Sequence, residues 1–219
     1  MDKFATLNSV AAPILRENID TDVIIPINRL VGNSVRGTLG KWAFTALRYR
    51  PDGSENPEFV LNREPYRGAQ ILLTGVNFGC GSSREGAVWA LHEMGIRCVI
   101  GSSFGDIFFN NCFQNGLLPV VLDRQTVESL AREVEASQGA GRISVDLENL
   151  EVIAPSGKRH AFAVEPARRQ ALLEGLDEIA LTLKRAPEIA AFQARDRQQR
   201  PWVHEISDQR TNSSENSPS

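Results

Sequence analysis

Asn77-Phe78-Gly79-Cys80-Gly81-Ser82-Ser83-Arg84-Glu85 sits between an apolar run, Gln70 to Val76, and a helical stretch from Ser82 to about Met94. The expected order is therefore strand, glycine-rich turn, helix. Glycines let a backbone turn tightly and approach a ligand. The free N–H groups of a first helical turn point at that ligand, and the helix dipole favours negative charge there. Ser82 and Ser83 add hydroxyls, and Arg84 adds a planar fork that matches a carboxylate. The turn reads as an anion site. The plainer alternative is a tight turn in which Ser82 caps the helix and Arg84 faces solvent. A phosphate loop fails because no lysine follows the glycines, and a serine-hydrolase elbow fails because G-x-S-x-G is absent.

Downstream of this turn the pattern continues with a strand from Cys98 to Gly101, a helix from Ser103 to Asn115 and a strand from Leu118 to Leu122. That alternation predicts an α/β fold. Ser82 stands three residues before Glu85, and Ser103 three before Asp106, a capping-box pattern at both helix starts; Gly95 and Gly116 are natural stops. A third helix is expected from Asp123 to about Ser137, with Val127, Leu130 and Val134 on one face. The period then changes to two. Ile143 to Leu147 and Leu150 to Ile153 read as a hairpin, and His160 to Val164 as a further strand. Helices follow at Pro166–Glu174, around Leu176–Thr182 and from Ala186 to about Arg197. Upstream, Asn18-Ile19-Asp20-Thr21-Asp22 reads as a polar turn feeding a short strand, Val23 to Pro26. Ile27 to Gly40 reads as a mobile loop carrying Arg29 and Arg36, Lys41 to Arg48 as a helix, and Pro51 to Pro65 as an irregular connection.

The 219 residues, 42% hydrophobic and 23% charged, suit one soluble globular domain over residues 1–206, followed by a polar tail at 207–219 expected to be disordered. The 27 acids and 24 bases are interspersed, so no basic field recruits nucleic acid or anionic lipid. No apolar run reaches the ~20 residues of a membrane span, and the first residues lack a leader pattern, so a cytoplasmic location is expected. Cys80, Cys98 and Cys112 form no C-x-x-C pair and have no neighbouring histidine, which argues against a disulfide or a zinc site. Cys98 reads as a small buried hydrophobe, and His92, His160 and His204 as structural histidines.

Gly79-Cys80-Gly81-Ser82-Ser83-Arg84-Glu85 resembles the serine–serine–arginine signature of the swivelling domain of aconitase-family enzymes. Asn18 to Pro26 is similar to the N-terminal motif of the isopropylmalate isomerase small subunits. Ser103 to Cys112, with Asn115 to Pro119, is similar to their second helical segment, and Ala186 to Val203 to their ending. The resemblance covers about residues 4 to 203. It implies a swivelling β/β/α domain, with a mixed β-core and surrounding helices. It also implies a hydro-lyase that interconverts 2-isopropylmalate and 3-isopropylmalate by dehydration and rehydration in leucine biosynthesis.

The same resemblance makes Ser82 the base, acting as an alkoxide, a form that a helix N-terminus and Arg84 would favour. Ser83 and Arg84 would hold the substrate's oxygens and carboxylate, Asp22 would support the site, and Thr21, Arg36 and Gly81 would line it. For Asp22, and more so Asp20, the competing reading is a side chain that bonds its own turn. Removal of hydroxide needs a Lewis acid, which the family supplies as a four-iron, four-sulfur cluster. This chain is not expected to hold it, so a large iron–sulfur partner subunit is implied, and activity only with that partner. Two departures stand out. Arg84-Glu85-Gly86-Ala87-Val88 replaces the usual Arg-Glu-His-Ala-Pro, and Arg36-Gly37-Thr38-Leu39-Gly40 replaces an Arg-Thr-Gly-aromatic-Gly loop that selects the malate substituent. They leave open a paralogue for homoaconitate or a methylmalate. A non-catalytic anion-binding module of the same fold is the third reading.

Overall fold

A computed structural model of the chain describes residues 1–31 and 36–203. The polar tail expected at 207–219, His204 and Gly32 of the expected mobile loop lie outside those residues. The chain begins with β1 (Thr6–Ser9) and β2 (Ala11–Ile14), then a single helical turn α1 (Thr21–Ile24) and a short α2 (Thr45–Arg48). The central alternation is β3 (Ile71–Thr74), α3 (Glu85–Glu93), β4 (Cys98–Gly101), α4 (Asp106–Gln114), β5 (Leu118–Val121) and α5 (Arg124–Ala136). Then come β6 (Ile143–Asp146), β7 (Glu151–Ile153), β8 (Arg159–Ala161) and α6 (Pro166–Glu174). Residues 1–177 form one compact unit; the second, 178–219, contains α7 (Glu178–Leu183) and α8 (Ala186–Gln199).

The strands divide into two sheets. One is parallel, in the order β2-β3-β4-β5, with Leu72 opposite both Ala12 and Val99. The other is antiparallel, in the order β1-β6-β7-β8. Val10 is the only residue between β1 and β2, so the chain changes sheets within one step. Every residue of β3 and β4 is buried, as parallel strands covered on both faces require, and apart from Thr74, whose hydroxyl donates to the Ile100 carbonyl, their side chains are apolar. α5 closes over β2, β3 and β4 with Val127, Leu130, Ala131 and Val134. Each large side chain fully buried in this core contributes roughly 1.5–3 kcal/mol of transfer free energy.

Several expectations are revised. β1 and β2 were not foreseen; each has four residues, and Pro13 interrupts the apolar pattern of β2. The proline is tolerated because β2 is an edge strand. Val23 to Pro26 is not a strand. Asp20 accepts a hydrogen bond from the Val23 N–H at 2.8 Å, and this N-cap turns Thr21–Ile24 into a helix despite its β-branched residues. The helix expected from Lys41 to Arg48 is broken into a 3-10 turn, Gly40–Trp42, and α2, because Phe44 takes a left-handed conformation with φ 54° between them. Neither capping box forms. Arg84 and Gly105 are the N-caps of α3 and α4, without side-chain bonds, and Ser103 Oγ instead accepts from the Asn77 N–H at 2.9 Å.

Candidate active site at the carboxyl ends of the parallel strands

Three segments leave the carboxyl ends of the adjacent strands β2, β3 and β4, the edge at which open α/β sheets bind ligands. They stay together after the strands end. Asp20 bridges to Cys80 and Phe78 to Phe104, both in parallel fashion, so the sheet order persists into the loops. Gly79 N–H donates to the Ile19 carbonyl at 2.7 Å, Thr21 N–H to the Cys80 carbonyl at 2.9 Å, and Gly105 N–H to the Phe78 carbonyl at 2.9 Å. The glycine-rich turn is thereby clamped from both sides. A side chain at Gly79 would overlap Phe108, because its Cβ would lie 2.3 Å from that ring, and φ there is +73°.

Within this frame the structure gathers Thr21, Asp22, Gly81, Ser82, Ser83 and Arg84. Thr21 is buried, and its hydroxyl donates to the Ser82 carbonyl at 3.1 Å, so it fixes the backbone of the serine pair. Gly81, Ser82 and Ser83 are exposed, and neither serine hydroxyl has a hydrogen-bond partner among the described residues. Arg84 is mostly buried, with a side chain 13% exposed, and its Nη1 makes an ion pair with Oδ1 of Asp22, whose side chain is 52% exposed. Contact with the Arg84 guanidinium holds the Asp22 carboxyl below its ordinary value of 3.8 against the opposing effect of burial; the Ile27 N–H adds to the lowering. The two groups are a carboxylate and its receptor. A guanidinium mostly withdrawn from water binds a carboxylate more strongly than one in bulk solvent.

Arg36 is placed elsewhere. Its Nη2 donates to Oδ1 of Asn115 at 3.0 Å, and its guanidinium carbon lies 4.8 Å from the centroid of the Trp89 ring. The Gly86 departure also acquires a physical reading. A Cβ at Gly86 would lie 2.6 Å from Cδ2 of Leu30, so the side chain of Leu30 occupies the space next to the first turn of α3. Ser103, Phe108 and Leu30 thus shape the site and were not singled out from sequence. For Ser103 the signal was present, since a polar residue at the end of a neighbouring parallel strand can bond the adjacent loop.

Among the described residues no group of three or more His, Cys, Asp and Glu side chains could hold a metal ion. Cys98 and Cys112 are fully buried, and burial pushes both thiols far up, which disfavours the thiolate that an iron–sulfur cluster needs. The described residues do not fit such a cluster. Among the described residues, too, no helix is long and apolar enough to cross a membrane.

Comparison with known proteins agrees with this geometry. A family model described as the aconitase C-terminal domain matches residues 1–125, and one called LeuD_N matches 128–166. A third, for the C-terminal domain of 3-isopropylmalate dehydratase small subunits, matches 178–205. The 3-isopropylmalate dehydratase small subunit of Paracoccus denitrificans is 51% identical over 203 residues, which cover 93% of this chain and 100% of that protein. The protein of the same name from Cupriavidus necator is 53% identical, with 93% and 99% covered. A crystal structure of 3-isopropylmalate dehydratase from Methanocaldococcus jannaschii matches with a TM-score of 0.62 at 23% identity, over 87% of this chain and 99% of that one, and so shares the fold. With aconitase-type loops at the edge of its parallel sheet and full-length relatives above half identity, the chain belongs to the family of 3-isopropylmalate dehydratase small subunits.

Proposed function

We propose that this chain is the small subunit of a hydro-lyase that isomerises 2-isopropylmalate and 3-isopropylmalate in leucine biosynthesis, and that it supplies the base. The observation that carries the reading is the constellation at the edge of the parallel sheet: an exposed Ser82 on a backbone clamped by Thr21, beside a mostly buried Arg84 already engaged by a carboxylate.

The reaction removes a proton from a carbon next to a carboxylate, so negative charge grows on that carboxylate in the transition state. Preorganised donors are worth most where charge develops. Arg84, held in position by Asp22, receives the substrate carboxylate, and Ser83 offers a hydroxyl to it. Ser82 Oγ takes the proton. Its ionised form is favoured by the guanidinium and by the N-terminal end of α3, which begins one residue after Arg84. On rehydration Ser82 returns the proton to the neighbouring carbon. Loss of the hydroxyl calls for a Lewis acid, for which the described residues offer no site, and a large aconitase-like subunit with a four-iron, four-sulfur cluster would supply it. That assignment makes the enzyme a heteromer, and a cytoplasmic location suits it.

The test is reconstitution with the large subunit, followed by assay against isopropylmalate, homoaconitate and methylmalates. The expected result is turnover of isopropylmalate by the pair, with the highest kcat/KM, and none by the single chain. A higher kcat/KM for another hydroxy acid would move the chain to a paralogous enzyme, and turnover by the single chain would refute the division of labour.

A further inference from the structure

Asn18 and Asn77 stand where β2 and β3 release the two loops that meet at the site. Both take the left-handed backbone conformation, with φ 54° and 58°, which asparagine tolerates better than most residues with a side chain. Their side chains meet: Asn77 Nδ2 donates to Asn18 Oδ1 at 2.9 Å. Each is also tied down through its own N–H, that of Asn18 to the Val76 carbonyl at 2.9 Å and that of Asn77 to Ser103 Oγ at 2.9 Å. The exits of β2, β3 and β4 are thus joined in one row. Just before it the two chains touch backbone to backbone, since a Cβ on Gly75 would lie 2.5 Å from the carbonyl oxygens of Leu15 and Arg16.

What the row fixes is register. The strands pair Ile14 with Thr74, and beyond the turn Asp20 bridges to Cys80, so the two chains regain the same offset after leaving the sheet. Between those points three residues, Leu15 to Glu17, precede Asn18, but only two, Gly75 and Val76, precede Asn77. The difference is made up after the asparagines, with Ile19 alone before Asp20 but Phe78 and Gly79 before Cys80. Downstream, the matched loops bring the Thr21 hydroxyl to the Ser82 carbonyl and the Asp22 carboxylate to the Arg84 guanidinium.

We infer that Asn18 and Asn77 are positioning residues, whose side-chain bond holds the two loops in the register that sets Thr21 and Asp22 against Ser82 and Arg84. The inference rests on the reading of Ser82 as the base. Neither asparagine takes a proton or touches substrate. With the bond gone the backbone still bends at both positions, but the loops shift against one another, and the guanidinium leaves the place where charge grows on the substrate carboxylate. Preorganised donors act on that growing charge, so their displacement slows the chemical step more than it weakens binding.

The experiment compares Asn77→Gly, Asn18→Gly, the double variant and Asn18→Asp in the reconstituted two-subunit enzyme, with Ser82→Ala alongside. Glycine keeps the left-handed backbone and its N–H bonds but removes the side-chain link, whereas aspartate at position 18 keeps the acceptor. Per assembled enzyme, kcat for isopropylmalate is expected to fall about tenfold in each glycine variant with KM within about threefold of wild type. The double variant should fall no further, because both single changes break the same bond. Asn18→Asp is expected to keep kcat within about twofold of wild type. A merely structural bond would lower the yield of assembled enzyme and leave kcat per assembled enzyme unchanged. That result, losses that multiply in the double variant, or an Asn18→Asp as slow as Asn18→Gly would overturn the inference. Glycine variants with wild-type kcat beside an inactive Ser82→Ala would leave the reading of the base standing, whereas an active Ser82→Ala would remove the premise itself.

Discussion

At the scale of single residues, the site is organised by a pair of opposite charges in different solvent. Arg84 is mostly withdrawn from water and Asp22 is half exposed, so the pair is weak as a stabiliser but effective as an aligner. The carboxyl of Asp22 is held below its ordinary value, so the pair is intact at neutral pH and is lost only as acid protonates Asp22 below about pH 4. His92 behaves in the opposite range. Burial first, then the charge of Arg97, lowers its pKa from 6.5, with Arg36 adding to the lowering and Asp2 and Glu93 opposing it. A histidine lowered in the folded state binds its proton more readily when unfolded. The stability it confers is therefore complete above pH 6.5 and is lost as pH falls through that value towards the folded one. Urea denaturation of the single chain should show a midpoint that drops between about pH 7.5 and about pH 5.5, and His92→Gln should flatten that drop. An equal slope in the variant would assign the dependence to another group.

At the scale of elements, the glycine-rich turn of the candidate site is shaped by what packs against it. Gly79 carries a positive φ and faces Phe108, whose ring makes an edge contact with Phe78 at 5.5 Å between centroids. Gly79→Ala meets both a backbone penalty and a steric one, and is expected to cost about 2–4 kcal/mol in denaturant unfolding. A cost below about 0.5 kcal/mol would mean that the turn relaxes freely. The helix and strand boundaries that were legible in the sequence share a cause. Cys98–Gly101 and Pro166–Glu174 fall where expected because glycine or proline marks their ends. Where the deciding interaction was a side chain on the backbone, the sequence misled: Asp20 makes a helical turn of a stretch that reads as a strand, and Ser103 bonds a neighbouring loop instead of capping its own helix.

At the scale of the whole molecule, the candidate site was half legible. Ser82, Ser83 and Arg84 are contiguous and announce themselves through the glycines before them. Asp22 and Thr21 were named only through the resemblance; what brings them to the turn is the parallel pairing of β2 with β3, and neither the existence of β2 nor its pairing could be read from four residues with a proline among them. Arg36 was expected beside the substrate on the strength of its loop. It lies on Trp89 and Asn115, a contact that depends on the stripe of α3 facing the loop and on the packing of α3 against α4. Three of the four strands of the antiparallel sheet, β6, β7 and β8, were by contrast foreseen as a hairpin and a further strand, because a period of two is a local signal, whereas β1 was not.

The central claim is that the hydroxyl of Ser82 is the base, and its most direct test is Ser82→Ala in the enzyme assembled with its large subunit. Binding of the two subunits should match wild type, since the clamp on this turn is made by backbone groups and by Thr21. Interconversion of the isopropylmalates should fall by about a thousandfold or more, in line with loss of a positioned general base. Turnover near the wild-type rate in a fully assembled variant would contradict the account.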